Sequence, residues 1–205
     1  MPSGHEALVD DLVSMGVLRT PEIVGAFRKI DRAAFVLPEY RPKAYINKPL
    51  PIGFSQTISQ PYTVAFMLEL LQPETGTKVL EIGTGSGWQT ALLAESVGAG
   101  GKVIGLEVIP ELCEMGKKNL AGFEFGDRVE IHCGNAIEGR DESAPYDRII
   151  AAATGEAVPI VWQEQLAIGG ILVAPEKTVI VKITREDQDS YTREEYPGFA
   201  FVPLV

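Results

Sequence analysis

The apolar run Val79-Leu80-Glu81-Ile82 passes without a break into Gly83-Thr84-Gly85-Ser86-Gly87 and then into a helical pattern that begins at Trp88. A strand that ends on closely spaced glycines and feeds a helix is the opening of a βα unit. The glycines let the chain turn tightly and let a ligand approach the backbone, and the free N–H groups of the helix start favour negative charge beside the turn. Downstream the alternation continues. Strands are expected over 78–83, 102–107, 128–133, 146–152, 170–174, 178–184 and 199–204, with helices over 88–97, 110–120 and 159–166 between them. Such alternation predicts an α/β fold, a parallel sheet covered by helices on both faces. The segment from Thr184 to Gly198 is too polar for a packed helix, so the last two strands are expected to run antiparallel.

The first fifty residues read differently. Ser3 can cap a helix carrying Leu8, Val9, Leu12 and Val13 on one face and ending near Gly16. Thr20 as cap, Pro21 at the first helical position and the stripe Ile23, Val24, Phe27, Ile30 predict a second helix. Pro38, Pro42 and Pro49 then punctuate an irregular stretch, and 62–71 forms a helix leading into the first strand of the core. One domain over 1–205 is expected: a helical N-terminal cap and loop (1–50), a loop and helix (51–77) and a Rossmann-like core (78–205).

Composition narrows the function. With 45% hydrophobic residues in 205, the chain can bury a full core without staples. Acidic residues outnumber basic ones 28 to 18, a formal charge of −10, and no Lys/Arg cluster offsets this, which argues against nucleic acid as a partner. Cys113 and Cys133 form no CxxC pair and are expected as reduced, buried thiols, and His132 as an interior residue. No Cys/His cluster has ligand spacing, so no metal is expected. No segment has the length or pattern of a membrane span or a leader, so a soluble, cytoplasmic protein that does not engage membranes is expected.

The glycine turn specifies its ligand further. A dinucleotide fingerprint asks for a third spaced glycine at position 88, where this chain has Trp88, and the dinucleotide reading weakens. Glu107 closes the next strand 24 positions after Gly83, close to the spacing at which a carboxylate accepts hydrogen bonds from ribose hydroxyls.

These residues carry a resemblance. Glu81-Ile82-Gly83-Thr84-Gly85-Ser86-Gly87 with Glu107 resembles motif I and its partner acid in class I S-adenosylmethionine-dependent methyltransferases. The block from Leu50 to Tyr62, with Thr57-Ile58-Ser59-Gln60-Pro61 at its centre, is similar to the signature preceding motif I in protein L-isoaspartate (D-aspartate) O-methyltransferases, and the similarity continues through Tyr146–Ile150, Glu164–Leu166, Gly169-Gly170 and Phe201–Leu204. The resemblance implies a seven-stranded Rossmann-like sheet with the last hairpin antiparallel. It also implies S-adenosyl-L-methionine as methyl donor, and isoaspartyl residues of peptides or proteins as acceptors. It makes Ser59 the active-site residue, and sets Thr57, Ile58, Ser59, Gly83, Thr84, Gly85, Ser86, Gly87, Glu107, Val108, Asn135 and Ala136 around the cofactor. Two positions depart from the family pattern: Ser55 stands where glycine is usual, and Gly134-Asn135-Ala136 replaces Gly-Asp-Gly. A monomer is favoured. The competing readings are a related carboxyl methyltransferase with another acceptor, and a non-catalytic module that binds S-adenosylmethionine.

Overall fold

The computed structural model of the protein describes residues 4–204, so the expected Ser3 cap lies outside the described residues. The N-terminal part comprises α1 (Gly4–Ser14), α2 (Pro21–Lys29), the hairpin β1 (Leu50–Gly53) and β2 (Gln56–Ile58), and α3 (Pro61–Leu71). The core follows with β3 (Lys78–Ile82), α4 (Trp88–Ser96), β4 (Lys102–Glu107), α5 (Pro110–Leu120), β5 (Val129–Cys133), β6 (Tyr146–Ala151), α6 (Ile160–Glu164), β7 (Leu166–Glu176), β8 (Val179–Arg185) and β9 (Tyr191–Pro197).

The main sheet has the order β5-β4-β3-β6-β7-β8-β9. Pairing is parallel from β5 through β7 and antiparallel for β7–β8 and β8–β9. The chain therefore builds outward from β3 to β5 and then crosses back to place β6 on the other side of β3. Crevices that bind ligands open at such a reversal, beyond the carboxyl ends of the strands. Side chains alternate across each strand. Val79, Val103, Ile150 and Val173 join the apolar cluster that includes α1–α4, while Leu80, Ile104, Ile149 and Leu172 join the cluster around Trp162 on the opposite face. Both faces are thus covered, as the sequence pattern requires.

Several expectations need correction. The last strand is Tyr191–Pro197, not 199–204. Its sequence, YTREEYP, is charged on both faces because it lies at the sheet edge, and hydrophobic periodicity cannot reveal it. The turn before it is set by the Asp187 carboxylate, which accepts the N–H groups of Asp189 and Ser190, both at 3.0 Å. β9 is bound to the strands inside it by ion pairs, Arg193 to Glu176 of β7 at 2.8 Å and Glu194 to Lys182 of β8 at 3.2 Å. Thr20 makes no side-chain cap. Its hydroxyl and N–H donate instead to Glu69 of α3, at 2.8 and 2.7 Å, so α2 is fastened to a neighbouring helix at its start. Val13 of α1 is exposed, and His132 is half-exposed with Nε2 3.4 Å from Glu130 rather than interior.

The largest correction concerns the cysteines. Cys113 of α5 and Cys133 at the end of β5 are joined in a disulfide, with Cα atoms 5.7 Å apart. Sequence separation alone hid this, because strand β5 brings Cys133 back beside the first turns of α5. Neither cysteine is therefore a reduced thiol, and Cys133 is exposed rather than buried. Among the described residues no helix is long and apolar enough to cross a membrane.

Closing a loop of this size restricts the unfolded chain by about 3 kcal/mol. Cys133→Ser should therefore lower the free energy of urea unfolding by roughly 2–4 kcal/mol without reductant. The two proteins should converge once a dithiol is added, and equal stability without reductant would contradict the bridge.

Candidate functional site

Parallel strand β3 is buried on both faces, so its residues must suit packing on either side. Glu81 lies on the same face as Val79, toward α4, and is fully buried. Its carboxyl accepts from Thr90 Oγ1 and from Gln89 Nε2 at 3.1 Å, which pins the first turns of α4 to the strand. Burial pushes this carboxyl up to about 8, against the two hydrogen bonds, with the Glu107 carboxylate adding to the rise. Gly105, its partner on β4, leaves the space that the Thr84 hydroxyl occupies; a Cβ there would lie 2.5 Å from that oxygen.

Beyond Ile82 the chain turns through Gly83 (φ +84°) and Gly85 (φ +52°), conformations that side chains with a Cβ adopt at a cost. Gly83 and Thr84 donate to the carbonyl of Leu106 at 2.8 and 3.2 Å. The Glu107 carboxylate receives Gly85 N–H on one oxygen at 2.8 Å and Ile109 N–H on the other at 3.0 Å. A carboxylate has about four lone-pair directions, so Glu107, nearly buried at the lip of the turn, retains acceptor capacity for two more donors.

A cleft of about 580 Å³, mouth included, opens at this point, at the carboxyl ends of β3, β4 and β6. Of the candidate residues, Thr57, Ser59, Gly83, Gly85, Glu107, Val108 and Ala136 line it. Ile58, Thr84 and Ser86 line a smaller cavity alongside, together with Thr57, Ser59 and Trp88. Gly87 and Asn135 line neither. Gly87 is the residue before α4, packed so closely on α5 that a Cβ would lie 3.1 Å from Leu120 Cγ, and Asn135 accepts from Ile137 N–H at 2.9 Å within its own loop.

Other walls were missed by sequence reasoning. Val202, Pro203 and Leu204 close one side, held by Thr154, which donates its N–H to Val202 O at 2.9 Å and accepts from Leu204 N at 2.8 Å. Their apolar pattern was the available signal, but it equally suits a strand. Ile52 and Gln56 of the β1–β2 hairpin close another side. The hairpin turns through Phe54 (φ +52°) and Ser55 (φ +58°), both in the left-handed region, which explains why glycine would suit position 55. An outer groove of about 690 Å³, lined by Thr57, Ser59, Gln60, Thr63 and Phe201, adjoins the cleft, and Ser59 belongs to both.

The chain can be compared with known proteins on this basis. Residues 3–205 match the model of the family described as protein-L-isoaspartate(D-aspartate) O-methyltransferase. The chain is 42% identical to the protein-L-isoaspartate O-methyltransferase of Staphylothermus marinus, over 97% of this chain and 92% of that one. It is likewise 42% identical to that of Thermococcus onnurineus, over 96% and 91%. In three dimensions it is similar to a protein-L-isoaspartate O-methyltransferase from Plasmodium falciparum crystallised with S-adenosyl-L-homocysteine, with a TM-score of 0.89, 22% identity and coverage of 100% and 99%.

The buried Glu81 makes stability depend on pH in a defined direction. Its folded-state pKa lies above the ordinary carboxylate value, so its stabilising contribution is complete below that value and is lost as pH rises through about 8. Glu81→Gln should flatten this decline. In urea unfolding at pH 5 and pH 8, the wild-type protein should lose more stability than the variant across the interval, and parallel losses would show that Glu81 is not held neutral.

Proposed function

The chain belongs to the protein-L-isoaspartate(D-aspartate) O-methyltransferase family, and on that premise we propose that it transfers a methyl group from S-adenosyl-L-methionine to the free α-carboxylate of isoaspartyl residues in peptides and proteins. The observation that carries this reading is that the Glu107 cleft and the outer groove share a wall made of Thr57, Ser59, Ala152 and Val202, in which Ser59 and Thr57 are the hydroxyl-bearing residues. A cofactor in the one and a peptide in the other would meet at that shared wall.

The cleft suits the cofactor on chemical grounds. The free acceptor capacity of Glu107 matches a pair of ribose hydroxyls. The turn at Gly83 and Gly85 permits close approach of the ligand, and Leu106, Leu112 and Ala136 offer apolar walls to a heterocycle. Ile58, Thr84 and Ser86 line the smaller cavity alongside, while Gly87 and Asn135 shape the turns and line neither space. Bound there, S-adenosylmethionine supplies a sulfonium whose methyl carbon is the electrophile.

The protein's part is positioning. An α-carboxylate, with a pKa near ~3.5, is ionised at neutral pH and needs no general base. Ser59 donates a hydrogen bond to one carboxylate oxygen and aims the other at the methyl carbon. The two reacting groups carry opposite charges that cancel on transfer, so a dry, preset site favours the step. An isoaspartyl residue presents its α-carboxylate on a short branch beside the backbone, whereas normal aspartate offers a side-chain carboxylate with different reach. The acidic chain, with 28 Asp and Glu against 18 Lys and Arg, suits a polypeptide acceptor better than nucleic acid.

Incubation with labelled S-adenosylmethionine and an isoaspartyl peptide, beside its aspartyl twin, tests the reading. Transfer to the first and little to the second is expected, and equal rates would defeat it. Ser59→Ala should slow transfer about ten- to a thousand-fold, the scale of one positioned donor, while cofactor affinity measured by calorimetry holds.

Glu107→Ala should weaken S-adenosylmethionine binding by about 1–3 kcal/mol. Unchanged affinity in the same calorimetric titration would remove Glu107 from the site.

A further inference from the structure

Arg32 is the one fully buried arginine among the described residues, and it lies far from Ser59 in sequence but directly behind it in space. It follows α2 at the start of a short 3-10 turn, whose entry is fixed by Asp31 Oδ1 accepting Ala33 N–H at 2.8 Å. No carboxylate among the described residues lies within ion-pair distance of its guanidinium. Its partners are backbone carbonyls instead. Nη1 donates to Ala44 O at 2.8 Å and Ile46 O at 3.3 Å, and Nη2 donates to Lys48 O at 3.0 Å, Ser59 O at 3.0 Å and Ile58 O at 3.5 Å. The guanidinium carbon also stands 5.2 Å over the ring of Trp88, the first residue of α4 after the glycine turn.

We propose that Arg32 is the positioning residue of the Ser59 loop: its planar fork draws the carbonyls of Ile58 and Ser59 inward and so fixes the Ser59 side chain at the junction of cleft and groove. This rests on the function proposed above.

The chemistry of the group supports the assignment. A buried cation without a counter-charge is tolerated only where polar groups replace its hydration. Here those groups belong to two segments, 44–48 and 58–59, that have to be held together for the loop to keep its shape. One arm of the fork serves the first segment alone, while the other serves both. Lysine, a point charge with no planar fork, cannot reproduce that division. Burial lowers the Arg32 pKa to about 10, which still leaves it charged at neutral pH. The cation–π contact with Trp88 places the guanidinium beside the helix that begins at the glycine turn, so the Ser59 loop is referenced to the element that follows that turn.

The test compares wild type with Arg32→Lys and Arg32→Met at a temperature where circular dichroism shows each folded. Methyl transfer to an isoaspartyl peptide, S-adenosylmethionine affinity by calorimetry, and amide hydrogen exchange over 57–60 are measured. Both variants should lose about ten- to a hundred-fold in kcat, with exchange faster over 57–60 than elsewhere and cofactor affinity within about threefold of wild type. Lysine should rescue little of the rate. A variant with wild-type kcat, a full rescue by lysine, or parallel losses of cofactor affinity and rate without selective exchange at 57–60 would each overturn the proposal. Failure of the lysine variant to fold would also overturn it, because Arg32 would then serve the whole fold rather than the loop. If wild type transfers nothing to the peptide, the proposed function fails, and the exchange pattern over 57–60 still decides the role of Arg32.

Discussion

A single carboxylate ties the cleft together. Glu107 receives Gly85 N–H on one oxygen and Ile109 N–H on the other, so the turn leaving β3 and the turn leaving β4 share one anchor. The Leu106 carbonyl adds two bonds to the same turn from the neighbouring residue. These contacts set where α4 begins, and with it the Trp88 ring and the wall of the inner cavity. Glu81 fastens the same helix from beneath through Thr90 and Gln89. The two acids divide the work: Glu81, fully buried, keeps the helix on the sheet, and Glu107, nearly buried at the lip of the turn, faces the space where a ligand fits.

What could be read from the sequence was whatever is local. The strand, the glycines, the helix start and Glu107 follow one another at short spacing, and the parallel strands β3, β4 and β6 are apolar because both of their faces are covered. The Ser59 block was legible through its resemblance to a family. What escaped depends on pairing across long stretches of chain. The β1–β2 hairpin turns through Phe54 and Ser55, neither of which signals a left-handed turn. The terminal Val202-Pro203-Leu204 has the look of a strand, yet it lies against Thr154 as a cleft wall, and its place in the sheet is taken by a charged segment. The Cys113–Cys133 bridge depends on how β5 returns to α5, which spacing cannot reveal.

The N-terminal region earns its place through the site rather than through bulk alone. Thr20 and Arg19 donate to Glu69, joining α2 to α3, and Phe27 of α2 meets Trp88 edge-on with ring centroids 5.8 Å apart. The cap and the core therefore meet at the residues that open α4, and the loop bearing Ser59 runs between them.

The charge on β9 has a further consequence at the rim of the sheet. An outermost strand presents a row of unpaired N–H and C=O groups that another chain could use as a template. On β9 the side chains beside that row include Arg193, engaged with Glu176 of β7 and with Glu195, and Glu194, engaged with Lys182 of β8. A second copy adding a strand there would have to strip water from several charges and set like charges side by side. The opposite rim, β5, is only Val129–Cys133 long and carries Glu130 and His132. Aggregation by strand addition is thus discouraged at both ends of the sheet, by charge on the one side and by shortness with charge on the other.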